Sequence, residues 1–312
     1  MSQPFEPQPI ATALAHAVEQ SRRLTDGASA RYIPELANVD LEQVSAAVTL
    51  VDGTRLEAGD AASHRFTLQS SAKLVLLAGL LEELGEERVF AAVGAEPSGA
   101  SFSSIVRLEI QDPRPANPLI NAGAIALSSL IPGSLDAKLA WISRWAERLY
   151  GEPVAVNRRV LDSERATGDR NRSIAFFLKS SGTLASEVAE TLEAYFSLCS
   201  LEAGVGAASR LAAVLATGGR APGSGEALLS ARTASCMVSL MATCGMYDES
   251  GSHLLATGLP AKSGVSGVIV AVATGRAGIA VASPRVNSKG GSVRGHAILR
   301  QLSRDLGWHF AL

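Results

Sequence analysis

The sequence predicts an α+β fold: an antiparallel sheet of N- and C-terminal strands flanked by helices, with an all-helical subdomain inserted between them. Three observations predict it. Ser45 to Asp60 (SAAVTLVDGTRLEAGD) reads as a hairpin, with a β-branched strand, a turn at Asp52-Gly53 and a polar-alternating return strand. Val268 to Ala282 reads as a second hairpin around Gly275-Arg276, nearly continuous in small apolar residues and so buried on both faces. Between the two hairpins the periodic stretches keep helical spacing. The whole chain, 1–312, reads as one domain, with the sheet in 25–75 and 230–312 and a mainly helical part in 76–229.

The elements follow in order. Ile10 to Leu24 is an amphipathic helix with Ile10, Leu14, Ala17 and Val18 on one face. Pro34 makes Tyr32–Leu36 a loop or an extended entry. After Phe66-Thr67-Leu68 a helix starts near Ser70, with Leu74, Leu77, Leu81 and Leu84 at helical spacing and Gly85 as its stop. Val93 to Ser104 is Gly, Pro and Ser rich and reads as loop. Asn117-Pro118 is a turn that enters an apolar helix, with Asn121 ahead of small residues that let two backbones approach. Ser134 starts and Gly151 ends another helix. Ser163 to Asn171 is a dense polar stretch ahead of an apolar helix, the usual look of solvated capping. Helices follow over Val188–Leu198, Val205–Ala216 and Ser230–Gly245, with a flexible loop at Gly218–Gly225. The last helix spans Ser292 to Leu306.

Composition narrows the function. A chain 47% hydrophobic and 19% charged has the makings of a large core and no disordered character. With 28 Lys+Arg against 30 Asp+Glu and no basic cluster, a nucleic-acid surface is disfavoured. The longest apolar runs fall far short of the ~20 residues that span a bilayer, so no membrane partner is expected. The N-terminus has no basic, then apolar, signal pattern, and the three cysteines (Cys199, Cys236, Cys244) fit buried free thiols in a reducing compartment. A cytoplasmic protein is expected. The five histidines show no metal-type spacing, which disfavours a zinc site and a Ser-His-Asp arrangement.

One motif carries chemistry. Ser70 and Lys73 stand three apart at the head of the run SAKLVLLAGLLEEL, which puts hydroxyl and amine on one helix face. A serine hydroxyl needs a neighbouring base, and a desolvated lysine can be one. The helix N-terminus favours a developing oxyanion. S-x-x-K is a signature of acylating serine enzymes. The same four residues also fit a Ser near an N-cap beside a solvated Lys.

Further motifs follow in a fixed order. After S-x-x-K come N-P-L-I-N-A-G-A-I, S-E-R-x-x-G-D-R-N, L-x-A-Y-F-S-L-C-S, C-G-M-Y-D and L-P-A-K-S-G-V-S-G. This order closely resembles the serine-dependent glutaminase family over roughly residues 25 to 305. The resemblance implies a serine β-lactamase/transpeptidase-like fold, hydrolysis of L-glutamine to L-glutamate and ammonia, no cofactor, no metal, and a homo-oligomer, dimer or tetramer. It implies Ser70 as nucleophile and Lys73 as its activating partner, with Tyr247 beside them. Asn121, Glu164, Asn171 and Tyr195 match substrate-holding positions, and Tyr32 matches a Tyr near the substrate's polar end. Val265 matches the residue whose backbone N–H joins that of Ser70 as an oxyanion hole, and Lys262-Ser263-Gly264 sits where related acyl-transfer enzymes carry K-T-G.

The residue types suit that chemistry. Glu164 supplies a carboxylate for an α-ammonium, while Asn121, Asn171 and Tyr hydroxyls suit an α-carboxylate. Whether Lys73 or Tyr247 is the working base stays open. Ser103, Ala166, Asn287 and Gly291 stand where the family more often has Asn, Glu, Asp and Asn. A β-lactam or cell-wall peptide enzyme would share the fold but predicts a secretory signal. A catalytically dead binding protein predicts loss of Ser70 or Lys73, and both are present.

Overall fold

The computed structural model describes residues 6–98, 108 and 112–312. Most of the second half of the loop expected over Val93–Ser104, with the departure at Ser103, lies outside the described residues.

The first strands form as expected. β1 (Ser45–Leu50) and β2 (Arg55–Gly59) pair antiparallel around a turn in which Gly53 takes φ 93°, the left-handed region that Gly enters without steric cost. A short β3 (Phe66–Thr67) follows. The middle of the chain holds two more short strands, β4 (Ala155–Val156) and β5 (Leu201–Ala203). They pair with β3 in the order β3-β5-β4, so the helical insert carries a small antiparallel sheet at its border. Strands this short have no periodicity to read.

β6 (Ala261–Gly264), β7 (Val268–Ala273) and β8 (Ala277–Ala282) complete the main sheet. Its order is β2-β1-β8-β7-β6, antiparallel throughout, so the C-terminal hairpin inserts beside β1 and joins the two ends of the chain. β7, β8 and β1 are buried along their whole length. Helices cover both faces. Pro7–Ser21 and Val293–Leu306 lie on one, over a core that includes Leu14, Val48, Ile279 and Leu299. Val205–Ala216 lies on the other, as part of the larger core of the helical region. Among the described residues no helix is long and apolar enough to cross a membrane.

The helices differ from expectation where glycine or local packing intervenes. The Lys73–Ala92 helix breaks at Gly85 (φ 76°, ψ 166°) and resumes beyond it. The N-terminal helix begins at Pro7, which suits a first turn whose N–H has no partner, and ends at Ser21. The polar Ser163–Asn171 stretch is helical: Arg158–Thr167 and Asp169–Ser180 meet at Gly168. Any Cβ on Gly168 would lie 2.5 Å from Glu164 O and 2.6 Å from the Phe196 ring. The expected flexible loop is closely tied, with Leu228 and Leu229 N–H donating to Gly219 O and Gly223 N–H to Val51 O. Ser134, Ser230 and Ser292 cap their helices with side-chain oxygens.

The closest backbone approach of β8 is to the Val205–Ala216 helix. A Cβ on Gly278 would collide with Ala213 N and Ser209 O. Gly278→Ala is therefore expected to destabilise the fold by about 1–3 kcal/mol or more, the usual cost of overpacking. A denaturant midpoint unchanged from wild type would contradict this packing.

Candidate active site

Ser70 sits in a 3-10 turn, Gln69–Ala72, that runs straight into the Lys73–Ala92 helix. The turn is strained: Gln69 takes φ 48°, where a non-glycine residue costs roughly 1–3 kcal/mol. The end of β6 packs against it. Gly264 leaves no room for a Cβ beside Leu68 O (2.7 Å), which brings Val265 to the same pocket as Ser70.

Lys73 is 1% exposed in a core of Leu74, Leu77 and Leu119. Its Nζ donates to Asn121 Oδ1 (2.8 Å) and to Leu119 O (3.3 Å). Burial disfavours the ammonium and brings the amine down to about 8, although the nearby Glu164 carboxylate works the other way. Asn121 begins the Asn121–Ser128 helix, and Ile120, not Asn121, precedes its first turn. Its side chain thus faces Lys73 rather than capping the helix. Asn117 shapes the entry by accepting from Leu119 N and Ile120 N, and Gly123 leaves no room for a Cβ against Asn117 O.

A chain of hydrogen bonds runs on from there. Asn121 Nδ2 donates to Asn171 Oδ1 (3.0 Å), and Asn171 Nδ2 donates to Tyr32 Oη (2.9 Å). Asn121 and Asn171 are buried, so each amide has one satisfied orientation and the chain has a fixed direction from Lys73 to Tyr32. Ala28 pairs with Val286 and holds the segment before Tyr32 against the C-terminal part of the chain. Ser163 donates to Glu35, which ties the segment after Tyr32 to the helix of Glu164.

Glu164 is 2% exposed. Burial raises its carboxyl to about 7, against the pull of Lys73 and a hydrogen bond from Gln69. Tyr195 lies on the Val188–Cys199 helix with its phenol held well above the usual range by burial, and Lys73 Nζ stands 5.9 Å from its ring centre. Tyr247 opens a second 3-10 turn, Tyr247–Glu249, again at a positive φ of 55°. Gly245 allows this turn to approach, since a Cβ there would collide with Ala261 O of β6. The Tyr247 phenol lies beside the Ser70 side chain, and burial holds it protonated, well above the ordinary range.

All the site residues read from the sequence thus converge. Tyr32, Ser70, Asn121, Glu164, Tyr195 and Val265 line one cavity of about 10 Å³, while Lys73 and Asn171 hydrogen-bond to its walls and Tyr247 stands beside Ser70. Three further residues belong to it. Gln69 and Cys199 complete the lining. Lys262 Nζ lies 4.0 Å from the Tyr247 ring centre and donates to Ser263 O (2.8 Å). Burial and the nearby Lys73 push the Lys262 amine far below its usual range. Cys199 is detectable as the residue four after Tyr195 on one helix face; its thiol is raised to about 12 by burial, so it stays protonated. Gln69 carries no signal beyond adjacency to Ser70. A larger outer pocket, about 770 Å³, shares Tyr32 and Val265 with the inner cavity, so these two stand between it and Ser70.

Known proteins resemble this chain along nearly its whole length. The family model for glutaminase matches residues 27–310. A glutaminase of Legionella pneumophila (strain Corby) is 48% identical over 299 residues, covering 96% of each chain. The solved structure of the probable glutaminase ybaS superposes with a TM-score of 0.94 at 36% identity, covering 97% of this chain and 98% of the other. A probable glutaminase from Bacillus subtilis, solved as a complex with 6-diazo-5-oxo-L-norleucine, has a TM-score of 0.89 at 32% identity over 99% and 98% of the two chains. With a family model spanning nearly the whole chain and full-length relatives at this identity, the chain belongs to the glutaminase family, a family of amidohydrolases.

Proposed function

We propose that this chain hydrolyses L-glutamine to L-glutamate and ammonia through a Ser70 acyl-enzyme. The single observation that carries the reading is the buried Lys73 amine one turn from Ser70, lowered to about 8 and held by Asn121. The B. subtilis relative's ligand is an L-amino acid with a ketone at the carbon where glutamine has its side-chain amide, which supports the same substrate class here.

The steps follow from the groups present. Ser70 Oγ attacks the side-chain amide carbon, and its proton passes to the neutral Lys73 Nζ. The carbonyl becomes a tetrahedral oxyanion beside the backbone N–H groups of Ser70 and Val265, each such donor being worth a few kcal/mol. The Tyr247 phenol, protonated and beside Ser70, hands a proton to the departing nitrogen and is resupplied from Lys73. That division of labour makes Lys73 the base and Tyr247 the acid, because the phenol is held protonated. Ammonia leaves, water attacks the glutamyl ester, and Ser70 regains its proton. Glu164 pairs with the α-ammonium, and Asn171 and Tyr32 supply donors for the α-carboxylate. Tyr32 and Val265 line both the inner cavity and the larger outer pocket, so the amino acid enters past them.

Ammonia and glutamate release from L-glutamine and from L-asparagine, with wild type and Ser70→Ala, tests the reading. Wild type is expected to turn over glutamine in preference to asparagine, and Ser70→Ala to lose at least about 10⁴-fold in kcat. A Ser70→Ala enzyme of near wild-type rate would sink it.

The pH profile follows from the two shifted groups. Lys73 must be neutral and Glu164 ionised, so each loses its competent form as pH falls. The logarithm of kcat/KM is expected to rise with a slope of about two below pH 7, about one between 7 and 8, and to level above 8. Glu164→Gln should raise KM and remove the steeper limb. A profile flat from pH 6 to 9 would contradict both assignments.

A further inference from the structure

Tyr247 is held at φ 55°, a conformation that persists only where the surroundings impose it. Within its own turn, Ser250 Oγ donates to Tyr247 O (2.9 Å) and accepts from Met246 N (3.1 Å). A side-chain link out of the turn is the carboxylate of Glu249, two residues on. Glu249 Oε1 accepts from Asn287 Nδ2 (2.9 Å), and Glu249 Oε2 lies 3.8 Å from His296 Nε2. Asn287 Oδ1 in turn accepts from Lys289 N and Gly291 N, so one amide organises the whole 287–291 turn.

The histidines extend this chain into the core. His253 Nε2 donates to Leu259 O (3.2 Å), because a carbonyl can only accept. His253 Nδ1 is then an acceptor, and its partner at 3.2 Å, His296 Nδ1, must donate. Burial and the neighbouring His296 push His253 down to about 4, so it stays uncharged. The remaining nitrogen of His296 faces the Glu249 carboxylate. Burial raises that carboxyl, and His296, Asn287 and Lys289 outweigh it, so Glu249 is ionised. The order Leu259 O, His253, His296, Glu249, Asn287 therefore joins β6's entry, two helices and two turns, by hydrogen bonds except at the 3.8 Å approach of His296 Nε2 to Glu249.

The site is built for this pair. A Cβ on Gly291 would lie 2.5 Å from Glu249 Oε2 and 2.6 Å from His296 Nε2, so a side chain there would displace this pair. Asn287 must be an amide, since a carboxylate would oppose Glu249. Both are positions at which the sequence departs from the pattern it otherwise resembles.

We propose that Glu249, His296 and Asn287 are positioning residues for Tyr247, acting through the carboxylate that ties its strained turn to the last helix and to the 287–291 turn. The proposal rests on Tyr247 acting at Ser70 as described above. The other charged groups that face the chain are Asp248, paired with Lys289 at 3.3 Å, and Arg300 beside His253.

The test compares Glu249→Ala, Glu249→Gln, Asn287→Asp and Tyr247→Phe by kcat, KM, unfolding midpoint and pH profile. Glu249→Ala is expected to lose about 10–100-fold in kcat with KM changed by less than about threefold, the signature of a misplaced catalytic group. Glu249→Gln keeps the length of the side chain and an oxygen for Asn287, so it recovers most of that loss. Asn287→Asp sets two carboxylates face to face. They repel when both are ionised and share a proton when one is not. Its kcat, relative to wild type, therefore rises as pH falls.

A Glu249→Ala enzyme with wild-type kcat would overturn the proposal, as would an Asn287→Asp profile parallel to wild type. A loss shared by kcat, KM and the unfolding midpoint, without recovery in Glu249→Gln, would mark a merely structural role and also overturn it. If Glu249→Ala does not fold, the Asn287→Asp profile decides the matter. Tyr247→Phe separates the two claims. A fully active Tyr247→Phe takes down the catalytic reading itself, whereas an inactive one beside an unimpaired Glu249→Ala takes down the positioning role alone.

Discussion

The site depends on keeping one lysine amine out of water. Lys73 is buried at the point where the strained Ser70 turn becomes a helix, with core leucines behind it and Asn121 and Leu119 O as hydrogen-bond partners. Desolvation makes its ammonium expensive and lowers the amine to about 8, the property on which the proposed mechanism rests. The same burial acts on the surrounding groups in the sense the chemistry needs. It holds Tyr195 and Tyr247 as phenols and Cys199 as a thiol, so a second nucleophile does not compete with Ser70. It also raises Glu164 to about 7, against the pull of Lys73.

Burial of so many polar groups requires that elements distant in sequence come very close. Small residues provide this. Gly123 seats the Asn121 helix on Asn117, Gly245 seats the Tyr247 turn on β6, and Gly264 seats β6 on Leu68. Gly278 does the same for the sheet and the Val205–Ala216 helix behind it. Each contact sets where a functional side chain lies, so the glycine-rich motifs are placement devices as much as the polar residues are reagents. The two positive-φ non-glycine residues among the described ones are Gln69, next to Ser70 in the chain, and Tyr247, whose side chain lies beside it. Strain in this protein is concentrated where the reacting atoms meet.

The hairpins and most helices are legible in the sequence because they are long and periodic. Val268–Ala273 and Ala277–Ala282 are small or apolar at every position, and the Ser134, Ser230 and Ser292 caps are where a serine precedes a helical run. β3, β4 and β5 are not legible, since two or three residues show no period. The Ser163–Asn171 stretch resembles solvated capping because its charges outnumber its apolar residues, yet it is helical. Its inward face holds Glu164 and Asn171 while Arg165 and Asp169 point to water. In the site, motif order marks nearly every group because each motif brings one polar residue beside small ones. Gln69 and the Glu249–His296 pair depend on tertiary approach, which spacing along the chain does not encode.

The central claim is that Lys73 is a neutral amine over much of the range in which the enzyme works. It is tested most directly by following the Lys73 Cε carbon by NMR through a pH titration, with Lys73→Arg to assign the signal. The account predicts a midpoint near 8. A midpoint at the ordinary lysine value of about 10.4 would contradict it, and would leave Ser70 without the base that the fold is built to supply.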